Sequence, residues 1–72
     1  MKRLTALRET AGLSRWDLAK LANIYPNRLG AIENGRIVPG PDSVELKRLA
    51  AALGWLGAPG DLLAEADDAA RG

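Results

Sequence analysis

Seventy-two residues with a formal net charge of +1 make one small domain with room for a single modest core. The absence of Cys and His excludes disulfides, thiol chemistry and the usual zinc ligands, and nothing calls for an oxidising compartment. The longest apolar run, Leu49 to Leu53, falls far short of a membrane span.

Helical periodicity dominates and no alternating strand pattern appears. The first helix is predicted over Lys2 to Ala11, with Leu4, Leu7 and Ala11 on one stripe and Gly12 as a left-handed stop. Ser14 starts the second as an N-cap, with Asp17 placed to complete a capping box and Leu13 and Leu18 spaced as a hydrophobic staple. Leu18, Leu21 and Ala22 form its expected buried face, and Asn23, which tolerates left-handed backbone, ends it. After a short turn Pro26 opens a third helix, where a missing N–H costs nothing. Leu29 and Ile32 point inward and Asn34-Gly35 terminates it. Beyond the loop at residues 36–41, Asp42 is the expected cap of a fourth helix, with Glu45 three residues on and a stripe of Leu46, Leu49, Ala50 and Leu53 stopped by Gly54. A short fifth helix is expected from Pro59 or Gly60, carrying Leu62, Leu63 and Ala66. One domain then spans residues 1–72, with an acidic tail at 67–72 expected to fray.

Two short helices joined by a tight turn, with apolar residues at Leu18, Leu21, Ile24, Leu29 and Ile32, are what a helix-turn-helix requires over about residues 14–34. Such a pair projects its second helix into a major groove while the first lies across the backbone. Charge agrees with a polyanion partner. Residues 1–41 carry seven Lys or Arg against three Asp or Glu, whereas residues 42–72 carry three against six.

The stretches G-L-S-R-W-D-L-A-K-L-A-N-I (12–24), L-G-A-I-E-N-G (29–35) and P-D-S-V-E-L-K-R-L-A-A-A-L-G (41–54) together resemble the Cro and phage-repressor (Xre) family over roughly residues 3–66. The resemblance implies an all-α, five-helix, lambda-repressor-like bundle. It also implies that Ser14 and Arg15 meet a phosphate and a base edge, and that Glu33 sits in a polar contact near the core. Periodicity independently turns Asn27, Gly30, Ala31 and Asn34 outward on the third helix, with Arg28 beside them. Asn27 can bond adenine bidentately, Ala31 can touch a thymine methyl, and Arg15 can hold guanine or a phosphate. Arg28, Asn34 and Arg36 suit phosphates, as does the Tyr25 hydroxyl. The bland alternative makes Arg15, Arg28 and Arg36 solvated surface charges and Asn27 a solvated end. Pro26 departs from the family by standing where a polar reader is common. Gly30 costs about 1 kcal/mol inside a helix, so close approach to DNA or to a protein should compensate it. The loops after Gly35 and Gly54 each look about two residues longer than the family's usual form.

Trp16 falls opposite Leu18 on its helix and therefore outward, over DNA backbone, a neighbouring helix or a protein partner. Trp55 and Leu56 either plug the small core or join a dimer surface. No catalytic constellation is present, no cofactor is expected, and Asp67 and Asp68 read as a solvated end. Lys2 and Arg3 lack a following apolar segment, so no secretory signal is expected and the cytoplasm is the expected location. The expected function is a repressor-like, sequence-specific regulator binding double-stranded DNA as a two-fold dimer, assembled through the fourth and fifth helices or on DNA. The alternative uses the same fold as a protein-interaction module, an adaptor or antitoxin-like partner, through Trp16 or Trp55.

Overall fold

The computed structural model describes residues 1–40 and 42–66; the tail expected to fray, 67–72, lies outside them. Four α-helices form within a residue or two of where the sequence places them: α1 (Arg3–Thr10), α2 (Arg15–Ala22), α3 (Pro26–Glu33) and α4 (Val44–Leu53). The fifth element is a 3-10 helix, Pro59–Leu63, not an α-helix. Five residues are too few to repay α-helix nucleation, and Gly60 adds to the cost. No strand ladder occurs among the described residues, only an isolated antiparallel bridge between Lys2 and Glu65.

The ends of α2 follow its sequence closely. Ser14 Oγ accepts from the Asp17 N–H at 3.0 Å, the Asp17 carboxylate accepts from the Ser14 N–H at 3.3 Å, and Asn23 closes the helix at φ +59°. The start of α4 lies one residue later than expected. Ser43, not Asp42, is the N-cap, accepting from the Glu45 N–H at 3.1 Å. Both residues are competent caps, and the choice is made by the phase that sends Leu46, Leu49 and Ala50 into the core.

The core joins Leu4 of α1, Leu18, Ala19 and Ala22 of α2, Leu29 and Ile32 of α3, Leu46, Leu49 and Ala50 of α4, and Leu62 of the 3-10 helix. Each buried leucine contributes about 2 kcal/mol by removal from water. α2 packs on both α3 and α4, while the 3-10 helix closes the far side against α1 and α4. Leu21 corrects the expected face of α2: it is 62% exposed, and Ala19 is buried instead. Turning the helix this way puts two alanines in the interior, which lets the backbones of α2 and its neighbours approach closely. Trp55 and Leu56 part company. Trp55 packs on the core, donates Nε1–H to the Ala58 carbonyl at 3.0 Å and lies under the Arg3 guanidinium at 5.4 Å, whereas Leu56 is 99% exposed.

The first residues and the segment after the 3-10 helix are tied together. Arg3 N–H donates to Ala64 O at 2.8 Å, Ala66 N–H donates to Met1 O at 2.7 Å, and the Met1 ammonium meets Glu65 Oε1 at 3.0 Å. The ammonium holds the Glu65 carboxyl below the usual glutamate value of 4.5, first by its hydrogen bond and then by its charge. A lowered folded value means the contribution is complete above 4.5 and fades as pH falls through the folded value. Protection of the Arg3 and Ala66 amides, their exchange relative to the intrinsic rate at the same pH, is therefore expected to fall on acidification below 4.5 in the wild type. In Glu65→Gln the two amides should exchange faster at neutral pH and show no such acid step.

Candidate nucleic-acid interface

The turn at Asn23–Tyr25 sets the relation of α2 to α3. Ile24 packs on the core from within the turn, and its N–H donates to Ala19 O at 2.9 Å. Tyr25 stands at the N-cap of α3 without a side-chain capping bond and is 82% exposed. Pro26 begins the helix, and Asn34 followed by left-handed Gly35, φ +80°, ends it. Leu29 and Ile32 are fully buried, so the opposite face is presented outward, with Asn27 and Asn34 exposed and Gly30 and Ala31 half-buried. This face has almost no side chain in its middle.

One carboxylate anchors the unit. Glu33, in the last turn of α3, has its side chain 1% exposed and receives two guanidinium groups. Arg8 of α1 donates Nε–H to Oε2 at 2.9 Å and Nη2–H to Oε1 at 3.3 Å, while its Nη1–H reaches the Leu13 carbonyl at 2.9 Å. Arg15, the first residue of α2, donates Nε–H to Oε1 at 3.0 Å. Burying a carboxylate costs several kcal/mol unless it is paired and hydrogen-bonded, and here both oxygens are satisfied.

The polar contact expected for Glu33 is thus present, but its partners were not foreseen. Arg8 carried a sequence signal: with Leu4, Leu7 and Ala11 it falls on i, i+3, i+4, i+7, inside the apolar stripe of α1. Glu33 likewise follows Leu29 and Ile32 on the inward side of α3. Opposite charges inside two apolar stripes are candidates for one buried pair.

The expected contact residues divide into two groups. Ser14, Tyr25, Asn27, Asn34 and Arg36 are exposed around α3 and the start of α2, and Ala31 is half-buried on the same face. Arg28 is engaged within the protein. Its Nε and Nη2 grip Glu45 of α4 at 2.8–3.1 Å, and that bond, with the carboxylate's charge, raises the guanidinium above its ordinary value. Arg15 is shared: Nε is committed to Glu33, the side chain is 47% exposed, and Nη1 and Nη2 have no hydrogen-bond partner among the described residues. Trp16 projects outward, 74% exposed, and with Tyr25, Pro26, Asn27 and Ile37 borders a shallow hollow at the start of α3. Lys20 stands beside Trp16 and Pro26. Among the described residues no helix is long and apolar enough to cross a membrane, and no cluster of acidic side chains could hold a metal ion.

A family model described as a helix-turn-helix domain matches residues 2–66. The chain belongs to this family of Xre/Cro-like helix-turn-helix domains. No curated protein and no solved structure matches it. Domains of this family are in general those of DNA-binding regulators, and the helix-turn-helix here is formed by α2, the Asn23–Tyr25 turn and α3.

The two arginines on Glu33 are expected to separate in a urea titration. Arg8→Ala leaves a buried carboxylate short of two donors and should remove about 3 kcal/mol, a large part of the stability of so small a domain. Arg15→Ala removes a half-exposed partner and should cost less than about 1 kcal/mol. Equal losses would show that the pair does not depend on burial. Gly30→Ala should stabilise the protein by about 1 kcal/mol in the same titration. Its Cβ would meet only Arg15 Nη1, at an ordinary 3.8 Å.

Proposed function

We propose that this protein is a sequence-specific regulator of transcription, repressor-like, that inserts α3 into the major groove of double-stranded DNA as a two-fold dimer. The observation that carries this reading is the outer face of α3. Asn27, Ala31 and Asn34 occupy it, the Arg15 guanidinium approaches its bare middle at Gly30, and it belongs to a helix-turn-helix whose two helices are held by buried contacts. Asn27 pairs with adenine N6 and N7, and Ala31 meets the methyl of an adjacent thymine. Ser14 and Asn34 donate to phosphates at either side of the groove, joined by the Tyr25 hydroxyl and the Arg36 guanidinium. Arg28 contributes mainly by holding α3 on α4, with Nη1 left for a phosphate.

One such helix reaches only a few base pairs, so specificity comes from two half-sites about 34 Å apart. Residues 1–66 act as one unit, and the second copy is recruited on DNA, where the exposed Leu56 beside the 3-10 helix offers apolar surface to it. The exposed Trp16 favours a second reading, in which the same fold meets a protein partner through the α2 side of the hollow.

Fluorescence anisotropy against upstream intergenic DNA and random duplex, across salt concentrations, tests the reading. Affinity should fall with salt and favour the intergenic duplex. Asn27→Ala should cost about 1–3 kcal/mol on the specific duplex and little on random DNA. Arg36→Ala should weaken both and lower the salt slope by about 1. Affinity indifferent to salt and sequence, with Trp16→Ala abolishing a protein complex, would instead establish the second reading.

A further inference from the structure

Gly30 lies in the middle of the outward face of α3, where a reading side chain would ordinarily stand. A side chain from another helix reaches the edge of this open space. Arg15, from the first turn of α2, extends so that its Nη1 lies 3.8 Å from the position a Cβ on Gly30 would take. Its Nε is fixed on Glu33 at 3.0 Å, and that carboxylate is itself buried and braced by Arg8. A guanidinium is planar, so holding Nε on one side determines where the two Nη groups point. Nη1 lies alongside the bare part of α3, the side chain is half-exposed, and neither Nη has a hydrogen-bond partner among the described residues.

We infer that Arg15 reads a guanine in the major groove across Gly30, with Glu33 as its positioning residue. The proposal rests on the DNA-binding reading above and makes the missing side chain of α3 a borrowed one. Two Nη donors set by a buried carboxylate match the O6 and N7 acceptors of guanine, the one base presenting two adjacent acceptors in that groove. Register follows from the helix. Asn27 and Gly30 are three residues apart, about 4.5 Å along α3, against about 3.4 Å for a base-pair step. The guanine therefore lies about one step from the adenine taken by Asn27.

Selection of the wild-type 72-residue chain on a randomised duplex library should enrich a guanine next to an adenine. Replacing that guanine with 7-deazaguanine, which deletes N7 and keeps base pairing, should weaken wild-type binding about 10-fold. Arg15→Lys preserves the charge but has one nitrogen, and Glu33 holds it. This variant should bind the guanine and 7-deazaguanine duplexes equally, where the wild type separates them about 10-fold. Gly30→Gln, which fills the space from α3 itself, should lose that separation too, with Arg15 intact. Melting curves confirm that both variants are folded. An enriched motif without guanine, wild-type indifference to 7-deazaguanine, or an Arg15→Lys response equal to the wild type's would each overturn the proposal and leave DNA recognition standing. Failure to enrich any motif, with all duplexes bound equally, would overturn the DNA-binding reading and the proposal with it.

Discussion

The arrangement of the helix-turn-helix depends on the carboxylate of Glu33. Apolar burial is non-directional, and a core of leucines and alanines is compatible with several angles between short helices. A buried carboxylate is not so permissive, because its oxygens need donors at fixed distances and directions. Glu33 takes them from Arg8 and Arg15, and Arg8 also reaches the Leu13 carbonyl. The last turn of α3, the start of α2, the body of α1 and the loop between α1 and α2 are thereby tied at one point. Movement of any of them would strand a charge in a low-dielectric interior.

The other end of α3 is secured in a different way. Arg28, in its first turn, grips Glu45 in the first turn of α4 through two nitrogens, and Leu29 and Ile32 between the two ion pairs are fully buried. α3 is consequently fixed at both ends and along its inner side, and only its outer face is free. Such preorganisation suits the proposed role of placing a few groups against base edges, because less ordering remains to be done on binding. It also gives Gly30 a context. The loss of helix propensity there is tolerated in an element held by tertiary contacts at both termini.

Much of this was legible in the residues themselves, and what was missed has a common physical cause. Ser14 with Asp17, left-handed Asn23, Pro26 and Asn34-Gly35 act over three or four residues, and the structure has each of them in its expected role. Ser43 displaced Asp42 because two competent caps stood side by side and only packing could choose between them. Leu21 and Ala19 exchanged places because an eight-residue helix carrying Leu18, Ala19, Leu21 and Ala22 has two plausible apolar phases. The ion pairs were the least accessible. Arg8 and Glu33 are 25 residues apart and Arg28 and Glu45 are 17 apart, and no local rule names a partner at that distance. The candidate interface was readable as a set of outward positions on α3. Which of its cations are already engaged was not.

That last point changes what the charge distribution means. Counted along the chain, the N-terminal half is strongly positive and looks suited to capturing a polyanion. In three dimensions Arg8 and Arg15 share the charge of Glu33, and Arg28 is matched by Glu45, an acid from the other half. Arg3 is drawn to Trp55 and the Asp61 carbonyl, on the side closed by the 3-10 helix. Lys20 beside Pro26 and Arg36 beyond α3 remain near the outer face of α3 with no ion-pair partner among the described residues. Long-range attraction to phosphates is correspondingly modest, since it scales with the charges left to act on them. In the proposed reading, a domain built this way relies on short-range matching at base edges and on a second copy. Its arginines serve first to hold α3 still, and under the proposed function only what remains of them is offered to the groove.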